Sequence, residues 1–94
     1  MTTIINIACK NANVSFEELM SKCRQYRINI VRWFLWKYLH EEYGISATQL
    51  GKMFNRSRRI IFRGIFVFKQ MLHYDASVRE FNDNLIKKIE AAIK

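Results

Sequence analysis

Residues 46–63 read Ser46-Ala47-Thr48-Gln49-Leu50-Gly51-Lys52-Met53-Phe54-Asn55-Arg56-Ser57-Arg58-Arg59-Ile60-Ile61-Phe62-Arg63. Within them, residues 47–61 have the layout of two helices joined by a tight turn. Ser46 and Gln49 form an S-x-x-Q capping box, in which side chains satisfy the orphan amides of a helix start, and Ile45 with Leu50 supplies the matching hydrophobic staple. Leu50 and Phe54 face a core from the first helix. Gly51 is small where the helices cross. Asn55 tolerates the left-handed conformation that the turn needs. Ser57 caps the second helix, and Ile61 returns to the core one turn later. This spacing predicts a helix-turn-helix.

Working outward, two more capping boxes fit the same pattern, Ser15 with Glu18 and Ser77 with Glu80, and Val14 with Leu19 forms a second staple. The chain has no proline and only three glycines, which favours helices with short connections. The predicted fold class is all-α, with about six helices at residues 3–12, 16–21, 28–43, 47–54, 58–73 and 78–93. A polar segment, 22–27, precedes the third helix. That helix is apolar on most sides and stops at Gly44, so it is expected to be the buried centre. The sixth places Val78, Phe81, Leu85, Ile89 and Ala92 near one stripe. The fifth carries the β-prone runs 60–62 and 65–68, but its length and the Ser57 cap favour a helix. Ninety-four residues make one expected domain, 1–94.

The formal net charge is +8, and its distribution is informative. Residues 1–20 carry a net −1. Residues 21–69 carry eleven Lys/Arg against Glu41 and Glu42, a net +9. Residues 70–94 carry four of each sign. A positive field concentrated in mid-chain attracts a polyanion, which for a compact cytoplasmic domain implies nucleic acid rather than a surface that is basic only for solubility. The second helix of the pair opens with Arg58 and Arg59, where a recognition helix reaches base edges. Arg56, Arg59 and Arg63 are spaced to share one face and can fork to guanine or clamp phosphate. Cations at a helix N-terminus oppose its dipole, a cost that a bound anion would offset. Lys22, Arg24, Arg27 and Arg32 form a second basic cluster, either a solvated loop or one that enters a minor groove or grips phosphate.

Other functions find little support. No apolar run reaches the ~18–20 residues that span a bilayer, and residues 1–10 lack the pattern of a secretory signal, so a cytoplasmic, nucleoid-associated place and no membrane partner are expected. Cys9 and Cys23 belong to no CxxC or Cys/His group, so neither a disulfide framework nor a metal site is expected. His40 and His73 are isolated, and the acid pairs Glu17-Glu18 and Glu41-Glu42 point different ways on a helix. The expectation is no catalysis and no cofactor. Trp33, Trp36, Tyr38 and Tyr43 read as core rather than as base-stacking platforms.

From Ile4 to Lys94 the sequence resembles the DNA-binding C-terminal domain of the bacterial replication initiator DnaA, which has a Trp-repressor-like fold. The residues that carry the resemblance are Ser21-Lys22-Cys23-Arg24, similar to that family's S-K-x-R basic loop; Arg32 at the head of the long helix; Tyr38-Leu39 and Glu41 within it; and Ile45–Phe54, similar to S-L-P-E-I-G-x-x-F. The resemblance implies double-stranded DNA as the partner, replication control or transcription regulation as the setting, Arg24 as a minor-groove arginine and Arg32 as a phosphate contact. The departure falls on the recognition helix. The family's G-G-R-D-H-T-T-V is replaced by Asn55-Arg56-Ser57-Arg58-Arg59-Ile60-Ile61-Phe62, so an acceptor that reads cytosine has become a donor. No G-x-x-x-x-G-K-[ST] loop occurs, so the initiator's nucleotide chemistry is not encoded in these residues. The expected DNA-binding residues are therefore Lys22, Arg24, Arg27, Arg32, Arg56, Ser57, Arg58, Arg59 and Arg63. A second reading is a protein-interaction or homodimer module that has lost origin-box recognition, with Phe66–Phe68 as its interface; equally, these residues fit a larger core covered by the sixth helix.

Overall fold

The computed structural model describes residues 2–93, and every regular element in them is helical. The helices are α1 (Thr2–Ala12), α2 (Phe16–Met20), α3 (Tyr26–Tyr43), α4 (Ala47–Phe54), α5 (Arg58–Tyr74) and α6 (Ala76–Ile93). The all-α expectation of six helices holds. The central helix is α3. It buries Ile28, Ile30, Val31, Phe34, Leu35, Trp36, Tyr38 and Leu39 on several faces, because α1, α2, α4 and α5 all pack against it. The last helix, α6, lies outside this arrangement against α1 and α5, burying Val78, Leu85 and Ile89, with Phe81 half-buried and Ala92 exposed.

Local sequence sets the joints. Ser15 Oγ accepts from Glu18 N at 3.0 Å and Glu18 Oε1 accepts from Ser15 N at 3.1 Å; Ser46 and Gln49 repeat the exchange at 3.1 and 3.2 Å. Gly44 ends α3 at φ 67°, ψ 21°, a left-handed conformation that costs glycine little. The β-prone fifth segment is helical throughout, since Ile61, Gly64, Ile65 and Phe68 recur at helical spacing and are all buried.

Two expectations at helix starts give way. Residues 26 and 27 belong to α3, so the basic loop is shorter than 22–27 and Arg27 stands on the first turn of that helix. The third capping box does not form; instead Asp75 Oδ1 accepts from Ser77 N at 2.9 Å, Ser77 Oγ at 2.6 Å and Val78 N at 3.4 Å, so α6 starts at Ala76. A carboxylate reaches two amides and the dipole at once, which the neutral Ser77 hydroxyl cannot match. Hydrogen bonds from Ser77 hold Asp75 below its ordinary pKa, and a backbone hydrogen bond from Ser15, followed by Arg27, does the same for Glu18. Burial would raise Glu41, but Lys69 and Lys37 outweigh it. A depressed folded pKa stabilises the native state above the unfolded value, about 4, and that stabilisation is lost as pH falls through the lower folded values. Thermal melts should therefore fall progressively below about pH 4, and Asp75→Asn, which keeps an acceptor but cannot titrate, should flatten that fall.

Candidate nucleic-acid interface

The turn between α4 and α5 consists of Asn55, Arg56 and Ser57. Asn55 adopts φ 55°, ψ 51°, and Ser57 Oγ accepts from Ile60 N at 3.3 Å. Ser57 thus caps α5 as an acceptor and keeps its hydroxyl proton free to donate. Gly51 explains why α4 and α5 approach so closely: a Cβ there would stand 2.5 Å from the Arg56 carbonyl oxygen.

Arg32 is the organising residue of the region, and its role differs from the one expected. It is only 3% exposed. Its Nε donates to Leu19 O, Nη1 to Cys23 O and Asn29 Oδ1, and Nη2 to Glu18 O and Ser21 O. All five guanidinium N–H donors are thereby committed, and none is left for a phosphate. Burial and the neighbouring Arg56 guanidinium lower its pKa. Arg32 ties the end of α2 and the loop after it to α3. Arg56 joins the same knot, because its Nη2 also donates to Ser21 O while Nη1 donates to Phe54 O and Asn55 O. The expected face of Arg56, Arg59 and Arg63 is accordingly reduced to the last two, and Arg56 instead links the loop to the turn.

This knot fixes the geometry of a groove. A crevice of about 660 Å³ lies between the loop, α3 and the first half of α5, lined by the cations Lys22, Arg24, Arg56 and Arg63 together with Trp33, Ile60, Gly64 and Val67. On the other flank of the turn, a second crevice is lined by Thr48, Lys52, Asn55, Ser57 and Arg58. Neither crevice has a carboxylate in its lining. Among the described residues, the side chains of Lys22, Arg24, Lys52, Arg58, Arg59 and Arg63 form no ion pair and no hydrogen bond to the rest of the chain. Arg27 departs from the group: it pairs with Glu18 Oε2 at 2.8 Å and donates to Asn13 O, so it braces the α1–α2 joint. Lys52 was not singled out from the sequence; the only available signal was its place after Gly51, one turn before Arg56.

The expected interface at Phe66–Phe68 divides. Phe68 is fully buried and meets Phe34 edge-on at 6.1 Å, Val67 is half-buried and lines the groove, and only Phe66 faces solvent. His40 donates from Nδ1 to Ile45 O at 2.7 Å and meets the Phe62 ring edge-on at 6.0 Å. No cluster of three or more His, Cys, Asp or Glu that could hold a metal occurs among the described residues, and none of their helices is long and apolar enough to cross a membrane.

No family model matches the chain. By sequence it is similar to the chromosomal replication initiator protein DnaA of Leptospira biflexa serovar Patoc, 23% identical over 86 residues, which cover 92% of this chain and 20% of that protein. It is also similar to the DnaA of Mycoplasma genitalium, 25% identical over 83 residues, covering 88% of this chain and 19% of that protein. The chain thus spans about a fifth of the length of these curated relatives.

Proposed function

We infer that this chain is a double-stranded DNA-binding module, a single helix-turn-helix domain over 1–94 of the kind found at the C-terminus of DnaA, and that it binds rather than catalyses. The observation that carries this reading is the carboxylate-free basic surface on both flanks of the turn. Six cations there have no partner among the described residues, an arrangement that concentrates positive potential and is relieved by a polyanion. The outward face of α5, with Arg59 and Arg63, enters the major groove from its N-terminal end. Arg58 and Lys52, with the Ser57 hydroxyl, grip phosphate beside it. Lys22 and Arg24 reach the backbone or the minor groove across the α3–α5 crevice. Arg32 and Arg56 hold that loop in place. The similarity to DnaA supports a role in replication control or transcription regulation at the nucleoid.

The test is fluorescence anisotropy of labelled duplexes at several salt concentrations. With some six cations engaged, log K should fall against log salt with a slope of roughly −5. Reversing the charge of Arg24 and Arg58 together should flatten the slope. Failure to bind any duplex at low salt would sink the reading. A second reading, a protein-binding face on the same scaffold, is favoured by the exposure of Phe66, and a light-scattering mass above that of the monomer without DNA would support it.

A further inference from the structure

The outward face of α5 has an unusual chemistry for a helix in a major groove. With Ile61, Gly64, Ile65 and Phe68 in the core, the helical period puts Arg59, Arg63 and Phe66 on the opposite side. Phe66 is 62% exposed and Phe62, on its flank, 50%. From Arg58 to Lys69 no side chain carries an oxygen acceptor. The face therefore offers guanidinium donors and apolar surface, and nothing else.

Bases differ in what they ask of such a face. Guanine presents two acceptors, O6 and N7, which a guanidinium fork matches, and thymine presents a C5 methyl group. The exocyclic amines of cytosine and adenine require an acceptor, and the helix has none to give. Arg59 and Arg63 are four residues apart, ~6 Å along the axis, or roughly two base-pair steps at ~3.4 Å. Phe62 and Phe66, at the same spacing, stand beside them. Large aromatic side chains on a solvent face gain by burial, and thymine methyls provide it without a polar partner.

We propose that α5 selects duplexes through guanines read by Arg59 and Arg63 and thymine methyls packed on Phe62 and Phe66, and that it reads no base through an amine. This rests on the DNA-binding reading and adds the chemistry of the target. It also separates this chain from any reader that carries an acidic or amide side chain on the same helix.

The experiment is selection of duplexes by the whole chain from a random-sequence pool, followed by anisotropy with base analogues in the winning site. Guanine replaced by 7-deazaguanine, which lacks the N7 acceptor, should weaken binding on the order of tenfold per contacted guanine. Uracil in place of thymine, which removes the methyl, should weaken it several-fold, and purine in place of adenine, which lacks the 6-amine, should change nothing beyond its effect on duplex stability. Arg59→Ala and Arg63→Ala should each make binding indifferent to 7-deazaguanine at one position. Both side chains are exposed and without internal partners, so circular dichroism should show both variants folded. Sensitivity to loss of the adenine 6-amine with indifference to 7-deazaguanine would overturn the proposal. So would tight, salt-dependent binding from which no sequence emerges, although DNA binding itself would then stand. If no duplex binds even at low salt, both fail together.

Discussion

Arg32→Ala should destabilise the chain by about 2–4 kcal/mol and loosen the loop that carries Lys22 and Arg24. The substitution strips hydrogen bonds from four backbone carbonyls, those of Glu18, Leu19, Ser21 and Cys23. A buried acceptor left unpaired costs about 1–3 kcal/mol. The four do not add: Glu18 O keeps Ser21 N and Oγ, Ser21 O keeps Arg56 Nη2, and a loosened loop readmits water to Leu19 O and Cys23 O. Arg32→Lys should recover less than half of the loss, since an ammonium has three donors on a point charge where the guanidinium has five in a plane. Chemical denaturation measures the stability, and amide exchange at residues 21–25 reads the loop. The outcome also decides between two roles. A phosphate contact at Arg32 would leave stability nearly unchanged and reduce the salt slope of duplex binding by about one. A positioning role lowers stability, speeds exchange in the loop and leaves the slope of whatever binding remains almost as before.

That difference marks how far the sequence carries. The helices were legible because their signals are local. Capping pairs at Ser15 and Ser46, the glycine at 44 and the left-handed Asn55 each act within one turn of chain. The site was legible as a charge pattern, since eleven cations between residues 21 and 69 must lie close together in so small a domain. What each cation does was not legible. Arg24 and Arg32 look alike in sequence, yet one has no internal partner while the other is buried with all its donors used, and this depends on carbonyls 9 to 14 residues away. Arg56 met the same fate through Ser21, 35 residues distant, and Arg27 through Glu18. Helical periodicity assigned Arg56 to the face of Arg59 and Arg63 although Arg56 lies two residues before the helix begins at Arg58. The third capping box failed for a related reason, as Asp75, two residues upstream of Ser77, is the stronger acceptor.

Gly64→Ala should also be costly, by about 2–3 kcal/mol, although alanine is the better helix former by up to ~1 kcal/mol. A Cβ at this position would lie 2.5 Å from Cε3 and Cζ3 of Trp36 and 2.7 Å from Cδ1 of Trp33. Trp36 is 2% exposed and meets Phe54 edge-on at 5.9 Å, so its ring cannot yield without disturbing α4 as well. Overpacking of this kind costs about 1–3 kcal/mol or more, and relief comes by pushing α5 away from α3. That shift widens the crevice between Arg24 and Arg63, so duplex binding should weaken by more than the unfolded fraction explains. Truncating the obstructing ring supplies the check. In a Trp36→Leu background, itself destabilised by the lost volume, adding Gly64→Ala should cost less than in the wild type, the remainder coming from Trp33 Cδ1, giving a coupling energy of about 1 kcal/mol or more between positions 36 and 64. Strict additivity would show that Gly64 is not held by this contact. Gly51 provides the contrast: its obstruction is the Arg56 carbonyl, part of the backbone, and no side-chain truncation can relieve Gly51→Ala. One glycine lets α5 sit close to α3 and the other lets the turn close, and the spacing of the basic groove depends on both.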